Sequence, residues 1–259
     1  FTADTTNQAP TARDDDGVVN ENATLNVTNG ANKNETGGSY DANGEHSGDV
    51  IDTTNTASKD TDPDGDSLSV SAVRLGSTEG SGTSGTVGVA LTGTYGQLTL
   101  NANGSYTYVA NQPAADLLDA GDIAYDYFNY TVTDTLLTDT ARLTIRINGI
   151  NDDVTAVNDF GVVTENATLT VTDGESQNLS GSYDVHDEHS GDVAANEQDA
   201  DASAVHTITA IRTGSTEGSG TSGSLGSALT GTYGQLTLNA NGSYTYVANQ
   251  PAADLLDAG

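Results

Sequence analysis

Asp60, Asp62, Asp64 and Asp66 alternate along one short stretch, and they are the residues whose type and spacing point most directly to chemistry. Carboxylates at every second position converge on one ion where the chain curls, and Gly65 permits the sharp turn that such a loop needs. Hard oxygen ligands favour Ca2+ over transition metals. The same residues also read as a solvated acidic turn ahead of a strand. Further on, Asp199 and Asp201 stand in a related stretch, where Ser203 and Val205 take the places of the last two acids. On that register the second loop is expected to bind weakly or not at all.

Acids that recur in both halves of the sequence form a second candidate set, Asp15 with Asp159 and Glu21 with Glu165, to which Asn151, Asp152 and Asp153 are added. Plain surface charge is the competing explanation. A third recurring set joins Asp41, Glu45 and Asp49 to Asp184, Glu188 and Asp192, and reads as an ion site, a contact surface or a solvated loop. His186 and His189 suggest a transition metal, but Asn43 stands where His186 would recur, so a locally hydrogen-bonded loop histidine is expected instead. Asp116 and Asp119 are the carboxylate pair to weigh for glycoside hydrolysis. With no Trp to stack a sugar, no nucleophile elbow and no H-E-x-x-H helix, the sequence reads as non-enzymatic.

These residues are positioned by a tandem array. The segment TGTYGQLTLNANGSYTYVANQPAADLLDAG occurs at Thr92–Gly121 and again, unchanged, at Thr230–Gly259. GSTEGSGTSG, EHSGDV and ENATL recur as well, which makes each repeat roughly 140 residues long, a normal size for one domain. The expected organisation is a tail or linker over 1–10, a first repeat over 11–150, a linker over 151–158 and a second, incomplete repeat over 159–259. The first repeat continues past Gly121 through DIAYDYFNYTVTD and ARLTIRING, for which the second shows no counterpart. The out-of-phase boundaries suggest a slice of a longer array, or modules completed by strands from neighbouring chains.

Period-2 alternation in LSVSAVRL, QLTL, SYTYVA and ARLTIRI predicts strands, and Asn101–Gly104 predicts a hairpin turn. PAADLLDAG reads as a helical turn at most, GSTEGSGTSG as a long flexible hairpin loop, and Tyr106, Tyr108, Tyr127 and Tyr130 as core and cross-strand packing. About seven short strands per repeat imply an all-β fold of tandem Ig-like sandwiches.

The 259 residues hold 37 acidic and seven basic side chains, a formal net charge of −30 that disfavours nucleic acid as a partner. Leu, Ile, Val and Phe make up about a fifth of the chain, a composition that by itself signals disorder. Strand alternation and turn chemistry argue for a fold, and bound divalent cations would cancel carboxylate repulsion and add binding free energy to folding. Salt could play that part in a halophilic setting. The absence of Cys excludes disulfides and zinc thiolates. No apolar run is long enough to span a membrane, and the polar opening residues do not read as a signal peptide.

GTYGQLTLNANGSYTYVANQPAADLLDAGD, followed by FNYTVTD and ARLTIRING, resembles the VCBS and cadherin-like, immunoglobulin-like repeats of giant bacterial surface adhesins. NQAP at Asn7, NDD at Asn151 and DTDPDGDSLSV at Asp60 fit the same pattern, which covers nearly the whole chain; Val154 stands where the junction proline would recur. The resemblance implies extracellular, type I secreted, calcium-stabilised spacer modules of adhesins or biofilm matrix proteins. It also implies that Asp15, Glu21, Asn151–Asp153, Asp159 and Glu165 flank linkers and share Ca2+ between neighbouring modules. The expected partners are other modules of the array, as an extender, or further copies of the chain in a filament built by strand exchange.

Overall fold

The computed structural model describes residues 6–34, 43–51, 57–179 and 188–256. Asp41, Asp184 and His186 lie outside them. The chain divides into two compact units, Phe1–Asp152 and Asp153–Gly259.

The first unit has eleven strands: β1 (Asp15–Asn20), β2 (Thr24–Val27), β3 (Asn32–Asn34), β4 (Asn43–Gly48), β5 (Ser69–Leu75), β6 (Thr83–Ser84), β7 (Leu91–Thr92), β8 (Gln97–Leu100), β9 (Tyr106–Val109), β10 (Ile123–Thr133) and β11 (Thr138–Asn148). They form a seven-stranded sheet ordered β3-β4-β1-β11-β10-β5-β6 and a four-stranded sheet ordered β2-β9-β8-β7. This is an all-β sandwich with more strands than the seven read from the sequence, because several are only two or three residues long. β1 runs parallel to β11, Asp15 opposite Leu143 and Asn20 opposite Asn148; its other pairings are antiparallel.

The long hairpin β10–β11 supplies the middle of the large sheet. Along β11 the alternating Ala141, Leu143, Ile145 and Ile147 are fully buried, and their apolar face meets Leu25, Leu98, Tyr106 and Tyr108 of the smaller sheet in one core. Tyr108 packs edge-on against Phe128, with ring centroids 6.2 Å apart. Gly17 on β1 lets the smaller sheet approach closely, since a Cβ there would come within 2.6 Å of Leu25 Cδ2 and displace it. Tyr106, Tyr108 and Tyr130 are core residues as expected, but Tyr127 is not: it faces outward and stacks on Tyr125 at 6.1 Å, since both lie on the solvent side of β10. The GSTEGSGTSG loop of this unit is tied down by the buried Asn129, which accepts from the Gly80 N–H and donates to the Gly76 and Ser81 carbonyls, all at 3.0 Å.

The second unit contains β12 (Thr168–Val171), β13 (Ser176–Asn178), β14 (His189–Gly191), β15 (Ile211–Arg212), β16 (Ser222–Gly223), β17 (Leu229–Thr230), β18 (Gln235–Leu238) and β19 (Tyr244–Val247). Its four-stranded sheet, β12-β19-β18-β17, reproduces β2-β9-β8-β7. The large sheet survives as two separate pairs, β13-β14 and β15-β16, the counterparts of β3-β4 and β5-β6. The stretch matching β1 keeps just the single bridge Gly161–His189 among the described residues. Hydrogen bonding explains this: β1 pairs along its whole length with β11, and among the described residues no strand pairs in that way with the stretch matching β1.

Candidate metal centre

The loop after Lys59 carries the clearest cation geometry. Ligand oxygens of Asp62, Asp64 and Asp66 all lie within 4.8 Å of one another. The loop turns on Gly65, at φ +78°, and is closed by Asp62 Oδ1, which accepts from the Asp64 N–H at 2.8 Å and the Asp66 N–H at 3.2 Å. Asp62 Oδ2 is sealed from solvent without a hydrogen-bond donor. Three carboxylates, one with an orphaned oxygen, fit a hard divalent cation, which when bound would neutralise their mutual repulsion. The segment before β1 docks here, since Gln8 donates to Asp64 through its N–H (2.7 Å) and its side-chain amide (3.1 Å). Asn7 donates to Asp134 at 2.8 Å, so the NQAP stretch packs on the first unit.

Asp60 turns away from this cluster. Its Oδ1 accepts from the Arg13 N–H at 2.7 Å, and the adjacent Thr61 bridges Thr11. Asp60 and Asp15 are both buried. Asp15 accepts from the Ser47 hydroxyl at 2.8 Å and the Tyr130 hydroxyl at 2.7 Å. Burial pushes both carboxyl pKa values up to about 8 despite these bonds.

The other acids separate into distinct places. Glu21, buried at the far end of β1, accepts from the Ile150 N–H at 2.5 Å, beside Asn151 and Asp152. Five residues of strand, about 17 Å, separate Asp15 from Asn20, so Asp15 and Glu21 do not meet at one ion. In the second unit Asp159 accepts from Ser190 Oγ (2.7 Å) and Asn196 Nδ2 (3.0 Å), while Glu165 and Asp153 are exposed. Asp49 is buried and closes a turn, accepting from Gly30 N–H at 2.5 Å and Ile51 N–H at 2.9 Å; Asp192 repeats this with Gly174 and Ala194. That bonding accounts for their recurrence without an ion. His189 lies on β14 rather than in a loop, its Nδ1 accepting from the Gly191 N–H at 3.1 Å.

The second loop follows a register two residues away from the one read in the sequence. Thr155 bridges Gln198 as Thr11 bridges Thr61, and the Val157 N–H donates to Glu197 Oε2 at 2.7 Å as Arg13 does to Asp60. The Asp201 N–H donates to Asp199 Oδ1 at 3.0 Å, as Asp64 does to Asp62. Glu197, Asp199 and Asp201 therefore replace Asp60, Asp62 and Asp64, and Ser203 replaces Asp66. Three of four acids remain. Treating Glu as equivalent to Asp would have aligned EQDAD with DTDPD, a signal that matching aspartates alone misses. His206 Nε2 lies 3.6 Å from Asp199 Oδ2, beside this second loop.

Asp126 is a structural residue that sequence reasoning missed. Its buried carboxylate accepts from the Thr94, Tyr95 and Gly96 N–H groups at 2.8, 3.0 and 3.2 Å, and from the Tyr108 hydroxyl at 2.6 Å, locking β10 to the smaller sheet.

No curated protein is detectably similar to the chain. The family model of the bacterial cadherin-like domain matches residues 7–149, which span the first unit from the docked NQAP segment to the end of β11. By that match, and by the all-β sandwich that it covers, the chain belongs to the bacterial cadherin-like domain family.

Proposed function

We propose that this chain is a calcium-stabilised, non-catalytic extender segment of a secreted bacterial adhesin or biofilm matrix protein. The family supports a structural, adhesion-type repeat. The observation that carries the calcium reading is the convergence of Asp62, Asp64 and Asp66 within 4.8 Å. In this reading Ca2+ stiffens each module at that loop, while Glu21 with Asn151–Asp152 offers further oxygens at the end of β11, and Asp153, Asp159 and Glu165 remain separate candidate ligands of the following repeat. Thermal melts in excess EDTA, in millimolar CaCl2 and at matched ionic strength test it. A rise in Tm specific to Ca2+ is expected; an equal rise with salt alone would overturn the calcium reading and leave solvation as the reason for the acidity.

The second unit favours one further reading, a filament whose modules are completed by strands of neighbouring chains. An apolar groove of about 610 Å³ opens there, lined by Phe160, Val162, Leu169, Leu236, Tyr244 and Tyr246. The occupant argued for is a hairpin of the β10–β11 type, which covers the matching surface of the first unit. A peptide spanning residues 122–150 is expected to bind the chain and protect β18 and β19 from hydrogen exchange. Unchanged exchange with saturating peptide would remove this reading.

A further inference from the structure

The outward side of the large sheet in the first unit reverses the charge of the chain as a whole. Alternation sends Phe128, Tyr130, Leu143 and Ile145 into the core, so Tyr125, Tyr127, Arg142, Thr144 and Arg146 face outward. Arg74 of β5 joins them, since Asn129 lies opposite both Arg74 and Arg142. On this side β5, β10 and β11 present three of the chain's seven basic residues and no acid. Their own acids are turned elsewhere: Asp126 is held by residues 94–96, and Asp139 accepts from the Ala12 N–H at 2.9 Å. Asp14 and Asp16 border the face beside β11, and Asp14 forms an ion pair with Arg142 at 2.9 Å. A guanidinium carries five N–H donors, so that pair leaves others for a second acceptor.

The tyrosines complete the pattern. Tyr125 and Tyr127 are 45% and 37% exposed, with rings inclined at 18° to each other, and Tyr125 stands directly opposite Arg146. The core uses neither ring. We propose that this face binds an acidic polysaccharide, with Tyr125 and Tyr127 stacking on the apolar faces of sugar rings and Arg142 and Arg146 pairing with its carboxylates. Aromatic rings with a polar tip suit a ligand that is part apolar and part wet, and the planar guanidinium matches a carboxylate bidentately. Thr144, between the two arginines, adds a hydroxyl for those of the sugar. The face runs along the eleven residues of β10, about 34 Å of open strand, which suits an extended polymer. A protein partner would need an apolar centre within about 800 Å² per side, and two tyrosines among arginine and threonine do not make one. Among the described residues of the second unit, Arg212 repeats Arg74, bonding to Ser222 as Arg74 does to Ser84, with no such tyrosine pair beside it. Binding therefore belongs to the first unit, goes beyond an extender's role and needs no bound ion.

The test is titration calorimetry of the full chain with hyaluronan, a soluble uronate polysaccharide, beside neutral dextran and polyglutamate of matched length. Hyaluronan is expected to bind, less tightly as ionic strength rises, and dextran is not. Tyr125→Ala/Tyr127→Ala and Arg142→Gln/Arg146→Gln are each expected to weaken binding by about tenfold or more. No binding of hyaluronan, equal binding of dextran, or an affinity unchanged in either double variant would overturn the proposal. So would polyglutamate that binds as tightly as hyaluronan and ignores the tyrosine variant, since the face would then be one for acidic polypeptide, such as another copy of the chain. Hydroxyl-radical footprinting of the wild type does not depend on any variant folding. Hyaluronan is expected to protect Tyr125 and Tyr127 and to leave Tyr233, 48% exposed in the second unit, unprotected. Equal protection of all three, or of none, would overturn the proposal.

Discussion

The two repeats share a small sheet whose residues are identical over Thr92–Gly121 and Thr230–Gly259, yet their burial differs. Leu98 and Tyr108 are buried, whereas their counterparts Leu236 and Tyr246 are half-exposed. Val18 is 4% exposed and Val162 is 42% exposed. Glu21 is buried against Ile150, and Glu165 is exposed. The difference traces to the β10–β11 hairpin, which adds Phe128, Tyr130, Leu143, Ile145 and Ile147 to the first core. Identical residues thus become core or groove according to what lies across from them. A strand's alternation specifies a face that can be buried, and the partner decides whether it is.

The largest expected contrast concerns charge. Burial raises the Asp15 and Asp60 pKa values from the ordinary 3.8 to about 8. Between those values these two groups hold more protons in the folded first unit than in the unfolded chain, so the stability they contribute is fully present below 3.8 and is lost as pH rises towards 8. In excess EDTA that fall is expected to reach several kcal/mol, on the order of the linkage for two strongly shifted groups. Denaturation followed across pH, with hydrogen exchange to separate the units, is the measurement. A flat profile for the first unit would break the contrast.

Next in size is Asp126→Ala. It strands three backbone N–H groups and the Tyr108 hydroxyl, costing about 3 kcal/mol or more by the desolvation of buried donors. The first unit should then resemble the second, with exchange at Leu98 and Tyr108 rising towards that at Leu236 and Tyr246. A loss below about 1 kcal/mol would show that apolar packing alone holds the hairpin.

Gly17→Ala and Gly161→Ala sharpen the same point. The new methyl meets Leu25 at 2.6 Å and Ile145 at 3.1 Å in the first unit, and Leu169 at 2.6 Å and the Tyr244 hydroxyl at 3.0 Å in the second. The first site is closed by β11, so overpacking is expected to cost about 1–3 kcal/mol there and less where the groove lets Leu169 move. Equal losses in paired melts would mean that the second unit is packed as rigidly as the first.

Strands were legible because their alternation is local: QLTL and ARLTIRI lie wholly in strands, and LSVSAVRL and SYTYVA do so to within one residue at either end. The acidic loop was legible for the same reason, since Asp62, Asp64, Gly65 and Asp66 are contiguous. What the sequence hid depends on long-range contact. Nothing near Asp126 announces that residues 94–96 will aim three N–H groups at it, and nothing near Asp15 announces Tyr130, 115 positions away. Asp15 and Glu21 look like one set on paper because both recur, but a strand carries them to opposite ends of β1. Asp60 looked like part of an alternating loop, and the bridge between Thr11 and Thr61 turns it towards Arg13 instead.

The finest test compares Tyr108→Phe with Tyr246→Phe. Both tyrosines come from the same SYTYVA sequence, so propensity and local turn chemistry cancel in the comparison. Tyr108 donates to Asp126 at 2.6 Å, and removing its hydroxyl takes a charge-assisted bond from a buried carboxylate. Tyr246 lines the open groove of the second unit. The expected losses are about 1.5 kcal/mol for the first and about zero for the second. Adding the residue 122–150 peptide should raise the cost of Tyr246→Phe towards that of Tyr108→Phe if the groove accepts the hairpin in the same register, because the Asp126 of the peptide would then reach the Tyr246 hydroxyl. A cost for Tyr246→Phe that stays at zero while the peptide binds would mean that the hairpin seats in a different register from the one seen in the first unit.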